Sequence, residues 1–139
     1  MSRVKPPDLA LWACTLIRKE FAPTLTGLQV DIRIPDAYRG QMPLIVVRDD
    51  GGAQTGPNLF DRSLGVTVSM GSIDNPYPCR TLADGVYALL TDLYLPFDHN
   101  PIAAIIHDGC NGPYPASGDH QTAVHYLTVE YSAVGTIQE

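Results

Sequence analysis

Apolar residues recur along the chain at two different spacings, and these spacings distinguish predicted helices from predicted strands. Between Pro6 and Phe21 the apolar positions are three and four residues apart, which gathers them on one face of a helix. A proline two residues later ends this helix. A second helix is predicted from Tyr77 or Arg80 to Leu95. Its apolar stripe consists of Leu82, Val86, Leu89, Leu90 and Leu93.

Strand patterns occupy the stretches between and after the two helices, where apolar and polar residues alternate or a short apolar run occurs. The predicted strands are Val30–Ile34, Leu44–Val47, Leu64–Met70, Ile102–His107 and Ala123–Ala133. One face of the last strand is formed by His125, Leu127, Val129, Tyr131 and Ala133. This order of elements predicts a single α+β domain spanning residues 1–139. We expect a mainly antiparallel sheet of about five strands with two helices packed on one face.

Two long predicted loops are the least ordinary feature of this pattern. Asp49–Ser63 and Asp108–His120 each separate two predicted strands, and both exceed the usual length of a hairpin connection. Because the first loop is polar and Gly-rich, we expect it to contribute little to the core and to act in assembly. Replacing Gln54–Phe60 by a short Gly-Ser turn is then expected to leave thermal stability almost unchanged. The candidate partner-interface residues are Asp49, Asp50, Leu59, Phe60, Asp61, Arg62 and Tyr114.

Charge and cysteine content narrow the classes of protein to which the chain can belong. The net charge is −6 and the nine Lys and Arg residues are scattered, which argues against a surface that grips nucleic acid. Three widely spaced cysteines do not form a disulfide framework, so a reducing compartment is expected. The apolar run Leu9–Ile17 is too short to span a membrane and lacks a signal cleavage site, so no membrane partner is expected.

Two combinations of residues have the chemistry of a metal site, but neither has the required pattern. A zinc site could be assembled from His107, Asp108, Cys110 and His120. Their spacing matches none of the compact zinc patterns, which pair ligands a few residues apart. The carboxylates that could hold magnesium in a nuclease are Asp31, Asp49, Asp50 and Asp61. Most of these lie in or beside a Gly-rich loop, whereas such chemistry needs carboxylates fixed on rigid elements.

A cysteine nucleophile would be Cys79 or Cys110, activated by a neighbouring histidine. The available histidines are His99, His107, His120 and His125. Nothing in the sequence places a cysteine and a histidine together, and no Gly-rich phosphate-binding motif occurs. The sequence therefore predicts no catalytic residue, no cofactor and no bound metal.

Several segments, taken in order, resemble the tail-terminator proteins of long-tailed phages that infect actinobacteria. They are PLIVVRDDGG at 43–52, DRSLGVTVSM at 61–70, ADGVYALL at 83–90, GPYP at 112–115 and HYLTVEY at 125–131. The order and spacing of these segments carry the resemblance, which covers about residues 1–135. The chain departs from the pattern in a somewhat long Gln54–Phe60 segment.

The resemblance implies a virion structural protein of the tail and neck, assembled in the host cytoplasm, and no enzymatic activity. Such subunits form a hexameric ring that caps the tail tube, ends polymerisation of the major tail tube protein and joins the tail to the head connector or stopper protein. Genome DNA passes through the lumen of the ring without specific binding. A head-completion protein of the same neck, a small hydrolase or nuclease, and a ligand-binding domain with a pocket under the two loops remain alternatives.

Overall fold

The computed structural model describes residues 2–38, 40, 42–117 and 121–138. The described residues form an α+β fold with two α-helices, α1 (Leu9–Phe21) and α2 (Tyr77–Leu90). The strands are β1 (Arg3–Lys5), β2 (Gln29–Asp31), β3 (Leu44–Gly51), β4 (Gln54–Gly56), β5 (Leu59–Ser72), β6 (Ile102–Ile105), β7 (Asn111–Ala116), β8 (Thr122–Val134) and β9 (Thr136–Gln138). None of the helices in these ranges is both long enough and apolar enough to cross a membrane.

The main sheet has seven strands and is mixed, which corrects the expectation of five antiparallel strands. Its central path is β2-β3-β5-β8-β6, while β4 pairs with β5 and β7 pairs with β8. Strand β2 runs parallel to β3, and the other pairs are antiparallel. Strands β4 and β7 come from the two stretches that the sequence pattern predicts as loops. Their short length and their Gly and Pro residues hide the strand pattern.

Both helices pack on one face of this sheet, where they form a single apolar core with alternate strand residues. From α1 the core takes residues such as Leu9, Ala13 and Ile17, and from α2 it takes Ala83 and Val86. The sheet contributes mainly alternate residues of β3, β5 and β8: Ile45, Val47, Leu64, Val66, Val68, Leu127, Val129, Tyr131 and Ala133. The predicted face of the last strand is therefore confirmed as buried.

Helix α2 ends earlier than predicted, at Leu90 instead of Leu95. Beyond it the carboxylate of Asp92 accepts a hydrogen bond from the amide of Tyr94 at 2.9 Å, and this local turn replaces a further helical turn. Leu93, which belongs to the predicted apolar stripe, lies beyond the end of α2, and its side chain is 71% exposed. Strand β2 also ends earlier than predicted, at Asp31, because the Asp31 carboxylate accepts a hydrogen bond from the amide of Ile32 at 2.7 Å.

The prediction that Asp49–Ser63 forms a loop is wrong. Strand β3 continues to Gly51, and β4 then forms a narrow hairpin with the start of β5. Phe60 is 4% exposed, and it packs close to Gly135 at the end of β8. Replacing Gln54–Phe60 by a short turn would remove this buried ring, so a large loss of stability is now expected instead of little change.

The two chain ends pair with each other, a feature that no sequence pattern predicted. Strands β1 and β9 form a separate two-stranded antiparallel sheet in which Val4 lies opposite Ile137. Three-residue strands such as these are too short to give a readable alternation of apolar and polar positions. Their pairing follows from the position of β9, which comes one residue after the long strand β8.

Replacement of Tyr131 by Phe tests how the end of α2 is held. The buried Tyr131 hydroxyl donates a hydrogen bond to the carbonyl of Leu90, one of the carbonyls that a helix end leaves without a helical partner. Tyr131→Phe should lower the free energy of unfolding in urea by about 1–2 kcal/mol, because this buried carbonyl loses its donor. The control Tyr77→Phe removes a hydroxyl from a side chain that is 74% exposed, and it should change little. Equal effects of the two substitutions would contradict this account.

Candidate functional site

The face of the sheet opposite the helices carries a polar and aromatic surface, which we call the free sheet face. Alternation along β3, β5 and β8 places Arg48, Asp50, Gly65 and Tyr126 on it. The hydroxyl side chains of Ser63, Thr67, Thr128 and Ser132 lie on the same face. Most of these residues are half-buried or exposed, whereas their neighbours on the other face are buried. In the part of the chain that the structure describes, α1 and α2 both pack on the opposite face, and Arg48 and Asp50 are exposed.

Arg48 lies at the centre of the free sheet face and bonds to two other side chains. Its Nε donates to the Asp50 carboxylate at 2.5 Å, and one terminal nitrogen donates to the Tyr126 hydroxyl at 2.8 Å. The guanidinium carbon lies 5.8 Å from the centre of the Tyr126 ring. These contacts with Asp50 and Tyr126 raise the pKa of Arg48 above its ordinary value. The three side chains thus hold one another in a fixed arrangement.

Gly65 and Tyr114 complete this cluster. The Tyr126 hydroxyl and the Arg48 guanidinium lie directly over Gly65, where a Cβ atom would overlap the hydroxyl oxygen. Tyr114 on β7 packs edge-on against Tyr126, with 5.6 Å between the ring centres. Tyr114 is 42% exposed, so one side of its ring remains open to solvent. The result is an ordered group of Arg and Tyr side chains on an open surface.

The seven predicted interface residues do not form one surface. Asp50 and Tyr114 belong to the cluster just described, and Asp61 lies further along the same face. Asp49 points to the opposite face, as alternation along β3 requires, and its carboxylate accepts a hydrogen bond from the amide of Gly51 at 2.8 Å. Arg48 and Tyr126, which complete the cluster, were not predicted because only pairing with β5 and β8 brings them together.

The remaining predicted residues are engaged within the chain. Arg62 donates to the carbonyl of Gly52 at 2.8 Å, and its guanidinium carbon lies 5.1 Å from the centre of the Phe60 ring. Phe60 is buried, and Leu59 is half-buried at the tip of the hairpin. Arg62 therefore holds the bend between β3 and β4 closed. Pairing of Arg62 or Asp61 with a neighbouring subunit stays a prediction.

A cysteine and a histidine that the sequence could not connect lie side by side in the structure. Cys79, in the first turn of α2, has its Sγ 3.4 Å from Nδ1 of His125 on β8. The same sulfur donates its proton to the carbonyl of Val68 at 3.2 Å. Which of the two atoms donates depends on the tautomer of His125. The contact uses Nδ1, so Nε2 is the ring nitrogen that it leaves unused.

The environment of this pair does not favour a nucleophile. Burial raises the pKa of the Cys79 thiol and, together with the nearby Arg80, lowers the pKa of His125. Both shifts favour the neutral forms, whereas a catalytic cysteine needs a lowered pKa and an accessible thiolate. Cys79 is also 0% exposed, so a substrate cannot reach the sulfur. The pair ties α2 to β5 and β8.

A cavity of about 430 Å³ lies beside His125, and we call it the His125 pocket. Its walls include Pro76, Tyr77 and Arg80 from the start of α2, and Pro115 from β7. Ile73, Ala116, Thr122, Ala123 and Val124 also line it. The pocket is mainly apolar, and its polar lining includes the buried imidazole of His125 and the exposed cation of Arg80.

The two metal-site combinations considered from sequence can be judged only for their described members. Among the described residues, no group of three or more His, Cys, Asp or Glu side chains could hold a metal ion. His120 lies outside the described residues, so the zinc combination that includes it is not fully described. Of its other members, Cys110 donates to the carbonyl of Ile106 at 3.5 Å. Of the four carboxylates, Asp49 and Asp50 point to opposite faces of the sheet.

Thiol reactivity should distinguish a structural Cys79 from a catalytic one. We expect Cys110, which is half-buried, to react first with iodoacetamide at pH 8, while the buried Cys14 and Cys79 react only as the protein unfolds. Mass spectrometry of the digested protein measures which cysteine is labelled over time. Labelling in urea provides the control, since all three cysteines should then react at similar rates. Fastest labelling of Cys79 in the native protein would indicate an activated nucleophile.

Comparison of the chain with models of known protein families gives no match, and comparison with curated proteins gives none either. The candidate sites therefore have to be judged by their own geometry. That geometry offers two features, the Arg and Tyr cluster of the free sheet face and the His125 pocket.

Proposed function

We propose that this chain is a virion structural protein of a long-tailed phage, acting as the tail terminator. In this proposal six copies form a ring that caps the tail tube, ends polymerisation of the major tail tube protein and joins the tail to the head connector or stopper protein. The protein then acts by binding other proteins, and needs neither a cofactor nor a catalytic residue.

The observation that carries the proposal is the ordered Arg and Tyr cluster on the free sheet face. Arg48, Tyr114 and Tyr126 hold one another in place on an exposed surface, so little side-chain entropy is lost when a partner binds. Arg and Tyr are also the residue types that most often dominate the energy of protein interfaces. A flat surface of this kind suits a protein partner better than a small molecule, which binds in a concave site.

Two properties of the sequence support a place in the tail. The order of segments from residue 43 to 131 resembles that of tail terminators, and these segments fall mainly on β3, β5, α2, β7 and β8. Six copies of a chain with net charge −6 carry a charge of −36. An acidic ring would repel the phosphates of DNA in its lumen, and this would let the genome pass without being held.

The free sheet face can be tested in a phage whose genome encodes this chain. The double variant Arg48→Ala, Tyr114→Ala should fold, because both side chains are substantially exposed and outside the apolar core. It should fail to complement a deletion of the gene, leaving unjoined heads and tails of abnormal length in electron micrographs. The matched control Arg33→Ala removes an exposed cation that pairs with the exposed Asp36, and it should complement normally.

The phenotype of the deletion separates the terminator from its neighbours. Tails of normal length beside unjoined heads would point to a stopper or other head-completion protein instead. Normal infectious particles made without the chain would overturn the proposal of a structural role. Normal particles made with the folded double variant would show that the free sheet face is not a partner interface.

A further inference from the structure

We infer that the His125 pocket of one copy receives the exposed aromatic turn of a second copy of this chain. The aromatic turn comprises residues 92–98, which follow α2 directly. This inference rests on the proposed ring, and it specifies which two surfaces of the subunit meet. Four observations support it: the exposure of the turn, the lining of the pocket, their charges, and their positions at opposite ends of α2.

The aromatic turn presents large apolar side chains to solvent in a fixed shape. Leu93, Tyr94 and Phe97 are 71%, 76% and 81% exposed. Between them Leu95 is 6% exposed and anchors the turn in the core. The hydrogen bond from the Tyr94 amide to the Asp92 carboxylate fixes the backbone. Three large exposed apolar side chains within five residues are a concentration of apolar surface typical of an interaction site.

The lining of the His125 pocket suits an aromatic side chain that carries a hydroxyl. Its volume of about 430 Å³ is ample for one phenol ring, and Pro76, Tyr77 and Pro115 supply apolar walls. His125 also lines the pocket, and because its Nδ1 is engaged by Cys79, Nε2 is the ring nitrogen left for a partner. A tyrosine hydroxyl can donate or accept, so Tyr94 can place its ring in the apolar part and bond its hydroxyl to Nε2.

The charges around the turn and the pocket are complementary. Asp92 and Asp98 are the first and last residues of the aromatic turn, while Arg80 lines the pocket. Within its own chain Arg80 pairs with Asp84 at 3.9 Å, and both side chains are more than half exposed. Such a pair is weak and leaves the guanidinium able to bind a second carboxylate. Asp98, at the far end of the turn, is exposed and can supply it.

The positions of the turn and the pocket determine the symmetry of the contact. Residues 76–80 of the pocket form the start of α2, and the aromatic turn follows its end. A helix of 14 residues separates them by about 20 Å. Each copy therefore offers one turn and one pocket at opposite ends, which is the requirement for a head-to-tail contact. Contacts of this kind close into rings when the rotation between subunits allows it.

Photo-crosslinking from the aromatic turn tests this contact directly. The full chain carrying p-benzoylphenylalanine at position 97, a close replacement for the native phenylalanine, is irradiated at high concentration and also in assembled particles. We expect crosslinked dimers whose second attachment point lies within residues 73–80 or 115–125. A control with the same group at position 15, on the exposed side of α1, should give no crosslink to those residues.

Charge reversal provides a second, independent measurement. Arg80→Glu and Asp98→Arg should each reduce the yield of this crosslink at least fivefold. The double variant should restore the yield to within twofold of that from the chain with its native charges. Circular dichroism checks that each variant is folded, which is expected because both positions are exposed. Loss without recovery in the double variant would overturn the pairing of Arg80 with Asp98.

The outcomes separate this inference from the proposed function. Crosslinks to other residues, or none in either preparation, overturn the inference even where the chain forms a ring in the neck of the particle. Head-to-tail crosslinks in solution from a chain that is absent from the particle support the inference and overturn the proposed function.

Discussion

The long antiparallel pairing of β5 with β8 is the constraint on which the rest of the structure depends. The two strands keep one register from Leu59 opposite Val134 to Ser69 opposite Val124, and a bulge then precedes the last pair, Ser72 opposite Thr122. One face of this ribbon buries the apolar residues under both helices, and the other presents the free sheet face. The short strands β4, β6 and β7 all pair with one of these two strands. Both candidate sites depend on the ribbon, since β8 supplies Tyr126 to one and His125 to the other.

Neighbouring residues on β8 thus serve opposite sides of the sheet. Tyr126 bonds to Arg48 on the free face, and His125 bonds to Cys79 under the helices. The first contact leaves an ordered surface exposed, while the second closes the core beside a pocket. Because the contacts share one strand, a shift of register by one residue would exchange the two faces and destroy both. The pairing of β5 with β8 therefore fixes both the free sheet face and the His125 pocket.

The sequence was sufficient to predict the α+β class, the two helices and the buried face of β8, because each has a long periodic pattern. It was insufficient for Asp49–Ser63, where glycines and charged residues gave the composition of a loop although the backbone pairs as strand. Because this stretch pairs as strand, Phe60 lies on the buried side of the sheet. The contact of Cys79 with His125 joins residues 46 positions apart. Only the packing of α2 on β8, which periodicity does not reveal, places them together.

Under the proposed function, the chain works by contact with other proteins through two different surfaces. Image reconstruction of the phage neck without imposed symmetry tests this most directly. We predict six copies of this chain in a closed ring between the tail tube and the head connector, each copy touching its two neighbours through different surfaces. A ring of five or twelve copies, identical surfaces at every contact, or a neck that lacks the chain would contradict the account.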